Sequence, residues 1–327
     1  MIREVTLLNK RTNESLVIGT GGRYIIDSID WDSPSIEHTT YRVPFQIGSF
    51  YEGTKTKMRS PSITGYVLSD SVSGVWKNWT DYLNDCENQI NDYKIKLGNV
   101  VTPYDDLDLI VGEYTLHCRP TDFVKFSNKE KQNNEVMCLF TINLECYNPM
   151  FEKEVKTVAF SETQDNFVFG VIRDEVHNTV EECILGNLTT HESKVFGILN
   201  RAESLPVTND GDADVGFIIR LKLLKDASQT GVTVSSYLEN KMIEIDWLSI
   251  KEGSEIVVNT KVGEENVYVT SKEGTVKSMI GNVSNGSKYF KLKRGTNYIS
   301  YKEEQSILNG IEAVLEYTEQ YANIEGM

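Results

Sequence analysis

The stretch Leu205 to Leu221, LPVTNDGDADVGFIIRL, sets a tight acidic turn directly against the most strand-like run of the chain. Asn209, Asp210 and Gly211 tolerate positive φ and close local hydrogen bonds through their side chains, which is turn chemistry. Phe217, Ile218, Ile219 and Leu221 then supply the aromatic and β-branched residues that suit a pleated, half-buried surface. The same order recurs downstream, with Asn285-Gly286-Ser287 before Tyr289-Phe290-Lys291-Leu292 and Gly295-Thr296-Asn297 before Tyr298-Ile299-Ser300-Tyr301. Ile243 to Leu248 and Glu255 to Asn259 alternate strictly, joined by the turn Lys251-Glu252-Gly253-Ser254. Turn, strand, turn, strand predicts an antiparallel sandwich.

A chain of 327 residues is too long for one small core and predicts two domains, divided near residue 150 into 1–150 and 151–327. The 33 Lys and Arg against 48 Asp and Glu leave a formal charge of −15, a surface that repels phosphate backbones, so sequence-nonspecific nucleic-acid binding is not expected. Arg3 and Glu4 interrupt what a secretory leader needs to keep apolar, and no run approaches the length of a membrane span. Cys86, Cys118, Cys138, Cys146 and Cys183 are odd in number and lack CxxC spacing. They read as reduced thiols of a protein made in a cytoplasm.

Along the first half, Val5 to Leu8 and Leu16 to Ile18 flank a polar loop and predict a hairpin. Gly19-Thr20-Gly21-Gly22 is a turn before the strand Tyr24-Ile25-Ile26, since no Lys-Ser/Thr pair or helix follows to make it a phosphate loop. Tyr41 to Ile47 leads through GSFYEGTKTKM and back along Ser62 to Leu68, which predicts a long hairpin hard to bury within one subunit. A merely solvated hairpin is the alternative. Val75, Trp76, Trp79, Tyr82, Leu83, Cys86, Ile90 and Tyr93 recur at three- and four-residue steps and predict one helix from Ser73 to Leu97, with Ser73 as N-cap and Gly98 as stop. Its acidic opposite face argues for core packing, not a lipid surface. Strands follow at Tyr114–Cys118, Phe123–Phe126 and Met137–Cys146, with SNKEKQNNE as a polar loop between the last two. Glu152, Lys153, Glu154 and Lys156 read as a solvated crossing between domains.

Chemistry is sparsely signalled. Asp210, Asp212 and Asp214 resemble the start of a calcium loop, but Val215 stands where its Gly belongs and Leu221 where its bidentate Glu belongs, so no metal site is assigned. His38, His117, His177 and His191 are scattered and sit in no nucleophile or zinc motif. His117 lies alone in a strand. No catalytic residue and no cofactor is assigned, and the expectation is a protein that is not an enzyme.

The words VTNDGDADVGFIIRL, MIEIDWLSIKEGSEIVVNT, SKYFKLKRGTNYISY and VLEYTEQYANI, in that order, resemble the C-terminal half of the phage distal tail proteins, the Dit-like components of siphovirus-type tails. DSIDWDSPSI and the Tyr147-Asn148-Pro149-Met150-Phe151 step extend the resemblance into the first half. It implies a mainly β chain: a ring-forming, β-barrel-like first domain with one helix and a long hairpin arm, then a galectin-like antiparallel sandwich. It further implies a homo-hexameric ring at the virion tail tip, between the tail tube protein and the tail-associated, receptor-binding or baseplate proteins. The arm, through Tyr41, Val43, Phe45, Ile47, Phe50, Tyr51, Ile63 and Tyr66, would reach a neighbouring subunit. DNA would pass through the bore without specific binding, and no membrane is involved. The competing readings are a carbohydrate-binding module for host-surface recognition and a cell-wall hydrolase.

Overall fold

The structure, a computed structural model, describes residues 4–42, 47, 49–69, 78–132, 135–170, 193–201, 205–303 and 311–324. It is mainly β, with one α-helix among the described residues. The chain divides into two compact units, Met1–Glu154 with Gly211–Ala213 and Glu319–Met327, and Val155–Asp210 with Asp214–Thr318.

The first unit contains β1 (Glu4–Asn9), β2 (Ser15–Gly19), β3 (Tyr24–Asp30), β4 (Ile36–Tyr41), β5 (Phe50–Thr56), β6 (Ser62–Leu68), α1 (Trp79–Val100), β7 (Leu107–Val111), β8 (Tyr114–Pro120), β9 (Lys125–Gln132), β10 (Glu135–Glu145) and β11 (Phe151–Glu152). Its main sheet runs β2-β1-β7-β8-β10-β6-β3, and β9 pairs on β10. β2 and β3 stand at opposite ends of that path yet are joined by a short turn in which Gly21 takes φ +107°. The sheet therefore curls until its two ends meet. Inward-facing Val5, Leu7, Ile18, Ile63, Val67, Leu109, Leu116, Phe140 and Ile142 fill the curl as one cluster.

The helix lies against this core. Asn78 caps it, its Oδ1 accepting from the Asp81 backbone N–H at 3.0 Å, and Asp81 adds negative charge in the first turn, where the helix dipole favours it. The expected start, Ser73, lies outside the described residues, with Val75 and Trp76. The helix does not stop at Gly98 but continues to Val100, because Leu97 and Val100 are both buried and each adds roughly 1.5–3 kcal/mol by leaving water. Three further expectations change. Lys125 to Gln132, read largely as loop, forms strand, with Gln132 opposite Glu135. Ser62 to Leu68 does not return along an arm: β6 lies between β3 and β10, and Ile63 is fully buried. Glu152 and Lys153 are no solvated crossing, since Glu152 pairs with Gln320 of β24 (Gln320–Tyr321) and Lys153 Nζ lies 2.8 Å from Glu113 and 4.8 Å above the Tyr114 ring.

The second unit has β12 (Lys156–Ala159), β13 (Ser161–Gly170), β14 (Ser193–Arg201), β15 (Leu205–Asn209), β16 (Phe217–Leu223), β17 (Ala227–Ser236), β18 (Lys241–Ile250), β19 (Glu255–Asn259), β20 (Asn266–Thr270), β21 (Val276–Ser278), β22 (Gly295–Glu303) and β23 (Ile311–Tyr317). One sheet is ordered β12-β23-β16-β19-β20-β21 and the other β15-β22-β17-β18, with β13 and β14 paired separately. Phe217, Ile219 and Leu221 on β16 face Val232, Val234, Ile243 and Ile245 within one apolar cluster, the core of an antiparallel sandwich. The turn Lys251–Ser254 carries the chain from one sheet to the other, with Gly253 at φ +78°. Tyr289 to Leu292, expected as a strand, makes only the single bridge Val215 to Leu292 among the described residues. Phe290 and Leu292 are buried, but the next turn is held by Asn297, which accepts from the Lys293 N–H at 2.8 Å and donates to its carbonyl at 2.7 Å, not by a ladder.

Candidate functional site

The expected arm is a hairpin, but of different composition. β4 and β5 pair antiparallel from Ile36 opposite Thr56 to Tyr41 opposite Phe50, and make a two-stranded sheet by themselves. A register shift at Thr39/Thr40 leaves Glu52 as an extra residue, and this bulge brings Tyr51 and Thr54 to one face, where the Tyr51 hydroxyl contacts Thr54 Oγ1. His38 joins them, with Nδ1 3.2 Å from Thr54 Oγ1 and its ring edge-on to Tyr51 at 5.9 Å. The rings of Tyr41 and Phe50, directly opposite one another, stack at 5.4 Å.

Neither face is buried. Tyr51 is 63% exposed, Ile36 59% and Tyr41 50%, and Ile47 is fully exposed. A two-stranded hairpin is marginal in water alone, and among the described residues each strand here keeps one unpaired edge. Of the sequence-predicted arm residues the structure brings together Tyr41, Phe50 and Tyr51, with Ile47 in the connection. Val43 and Phe45 lie outside the described residues. Ile63 and Tyr66 belong to β6 in the main sheet. His38 was missed, although its place two residues before Thr40 in an alternating segment puts it on the Tyr51 side.

A polar cluster lies elsewhere in the same unit. His117, alone in its strand in the sequence reading, donates from Nδ1 to Asp108 Oδ1 at 2.6 Å and lies 3.3 Å from Glu152 Oε2 through Nε2. Hydrogen bonds to Asp108 and then Glu152 outweigh burial and raise its pKa to about 9. Glu152 Oε1 also accepts from Asn148 Nδ2 at 2.9 Å and Gln320 Nε2 at 3.0 Å, which ties the closing segment of the chain to β8. Arg59 is fully buried, stacks 4.8 Å from the Phe151 ring centroid and donates from Nη2 to the Ala322 carbonyl. These groups fasten strands together. No Ser or Cys nucleophile hydrogen-bonds to His117 among the described residues, and His177 and His191 lie outside them.

Asp210, Asp212 and Asp214 go to separate partners. Asp210 pairs with Lys156 at 3.6 Å, Asp212 accepts from the Ala322 N–H at 3.1 Å, and Asp214 accepts from the Arg294 N–H at 3.3 Å. On the sandwich, Ser235, Tyr237, Leu238, Tyr298 and Ser300 line an open cavity of about 360 Å³. This is the clustered aromatic and hydroxyl set that sequence spacing did not reveal, because Tyr237 and Tyr298 are brought together by the β17–β22 pairing.

A curled sheet with one described helix and an exposed hairpin, followed in sequence by an antiparallel sandwich, is a fold already seen in a solved structure. The Dit protein (gp 19.1) of phage SPP1, described as a paradigm of hub adsorption apparatus in phages infecting Gram-positive bacteria, shares this fold at a TM-score of 0.57 and 14% identity, over 97% of this chain and 98% of its own. A chain of the phage P2 baseplate in its activated conformation with Ca aligns at a TM-score of 0.44 and 9% identity, over 99% of this chain and 100% of that one. No family model and no curated relative matches the sequence.

Proposed function

We propose that this chain is a structural component of a phage tail tip, a distal tail protein that closes into a homo-hexameric ring between the tail tube and the host-recognition apparatus, and that it has no enzymatic activity. The observation that carries this reading is the end-to-end likeness to SPP1 Dit, 97% of one chain on 98% of the other. The β4–β5 hairpin supports it independently, because its exposed aromatics and open strand edges are surfaces that an identical neighbour can complete, and cyclic closure leaves no edge over. In this reading the first unit forms the ring, the galectin-like second unit is a docking platform, and the excess of carboxylates keeps DNA from adhering to the bore. The native mass of the purified chain at micromolar concentration tests it. Six copies are expected, and a strict monomer sinks the ring.

A second reading, carbohydrate recognition by the second unit, is favoured by the Tyr237 and Tyr298 cavity, since aromatic faces beside hydroxyls suit sugar rings. Glycan-array binding by the full chain that is lost in Tyr237→Ala would support it. Equal signal from both proteins would dismiss it.

A further inference from the structure

β8 and β10 run antiparallel with Leu144 opposite Pro120 and Glu145 opposite Arg119, and the next step of that register sets Cys146 opposite Cys118. The two Sγ atoms lie 2.8 Å apart, and both residues are buried. The backbone of Cys146 is already committed on its other side: its N–H donates to the Arg59 carbonyl at 2.8 Å, and its carbonyl accepts from the Arg59 N–H at 3.3 Å. An antiparallel residue turns both groups the same way, so towards Cys118 the pair exchanges no backbone hydrogen bond. Such pairs bring Cα atoms closest, to about 4.5 Å, at the near end of the ~4.4–6.8 Å range that a disulfide spans.

We propose that Cys118 and Cys146 are a redox pair, closed into a cross-strand disulfide by a small-molecule disulfide when the protein enters an oxidising medium. One thiol loses its proton and attacks the reagent disulfide, giving a mixed disulfide and one released thiol. The second cysteine then displaces the other half of the reagent. Two electrons pass to the reagent and the two protons end on its released thiols. Burial, and then the neighbouring sulfur, hold the Cys118 thiol well above its ordinary range, and only the Arg59 charge opposes them, so closure is slow beside that of an exposed thiol. Cys138 is differently placed, with its thiol donating to the Ser127 carbonyl at 3.2 Å, and Cys86 lies on the helix. Neither offers a cross-strand partner in this register.

The test uses the full chain, reduced and then incubated with oxidised glutathione. After acid quenching, denaturation, alkylation and digestion, a peptide linking Cys118 to Cys146 is expected, with Cys86 and Cys138 alkylated. The bridge closes a loop between residues 28 apart, so the oxidised protein should melt about 5–10 °C above the reduced one, and a reducing agent should reverse the shift. Cys118→Ser should abolish both the linked peptide and the shift. If that variant fails to fold, the comparison of oxidised with reduced wild type decides alone. Alkylation of both cysteines after exposure, linkage to any other cysteine, or a linked protein whose melting is unchanged would each overturn the proposal.

Discussion

His117 on β8 and Asp108 on β7 are direct cross-strand partners, and the imidazole donates to the carboxylate at 2.6 Å. Lys10 adds a second cation 3.4 Å from the same carboxylate, while Glu152 approaches the far side of the ring. Burial alone would push the Asp108 pKa up. The hydrogen bond from His117, with the charges of His117 and Lys10, reverses that and holds it below its ordinary value.

This arrangement makes stability pH-dependent on the alkaline side. The folded His117 pKa of about 9 lies above its ordinary 6.5, so its contribution is fully present below about pH 6.5 and is lost as pH rises through 9. The urea midpoint of the wild type should fall across that window, whereas His117→Gln should hold a flatter profile. Parallel profiles for the two proteins would show that the ring's charge does not stabilise the fold.

Gly65 and Gly98 are expected to respond in opposite ways to alanine. Phe140 lies across the sheet from Gly65, and a Cβ there would sit 2.3 Å from the Ile25 carbonyl oxygen and 2.6 Å from the Phe140 ring. Gly65→Ala should cost about 3 kcal/mol by overpacking. A Cβ at Gly98 meets nothing within 4 Å, and the residue is inside α1, so Gly98→Ala should add about 0.5–1 kcal/mol. Denaturant unfolding of both variants measures this, and equal losses would contradict it.

Arg59 is a buried cation whose Nε and Nη1 have no hydrogen-bond partner among the described residues. Arg59→Ala removes the hydrogen bond to Ala322 and opens a void beside Phe151, for an expected loss of about 3 kcal/mol. Arg59→Met keeps an unbranched stem against the ring and discards the charge, so it should melt higher than the alanine variant. Identical melting temperatures would refute the role given to the stem packed against Phe151.

Substitutions on the hairpin test the ring directly. Tyr41→Ser combined with Tyr51→Ser removes exposed aromatics, so thermal unfolding of the isolated chain should change little. Assembly should weaken at least tenfold, about 1.4 kcal/mol, in the concentration at which copies separate. Sedimentation velocity over a dilution series reads this, and an unchanged dissociation concentration would remove the hairpin from the interface.

The legible parts of the sequence were those in which each residue's neighbours along the chain decide its state. Val5–Leu8 with Leu16–Ile18 announced a hairpin, and Phe217 to Leu221 a half-buried strand, because period-two alternation and turn residues act over a few positions. The helix was legible in its middle and misplaced at its end, since its continuation past Gly98 depends on what Leu97 and Val100 bury against. For the arm, alternation could not distinguish β5 from β6 as the returning strand. Both fit locally, and only the insertion of β6 between β3 and β10 separates them.

By itself, then, the sequence determined that this is a strand-rich, acidic chain with period-two alternation in several segments, an amphipathic helix and no local catalytic signature, because those properties follow from composition and short-range spacing. Beyond that first hairpin, only the tertiary structure decided which strands are neighbours, and with that the pairing of His117 with Asp108, of Cys118 with Cys146 and of Tyr41 with Phe50. Register between strands is fixed by how whole faces pack into a shared core, and a one-residue slip exchanges every inward side chain for an outward one.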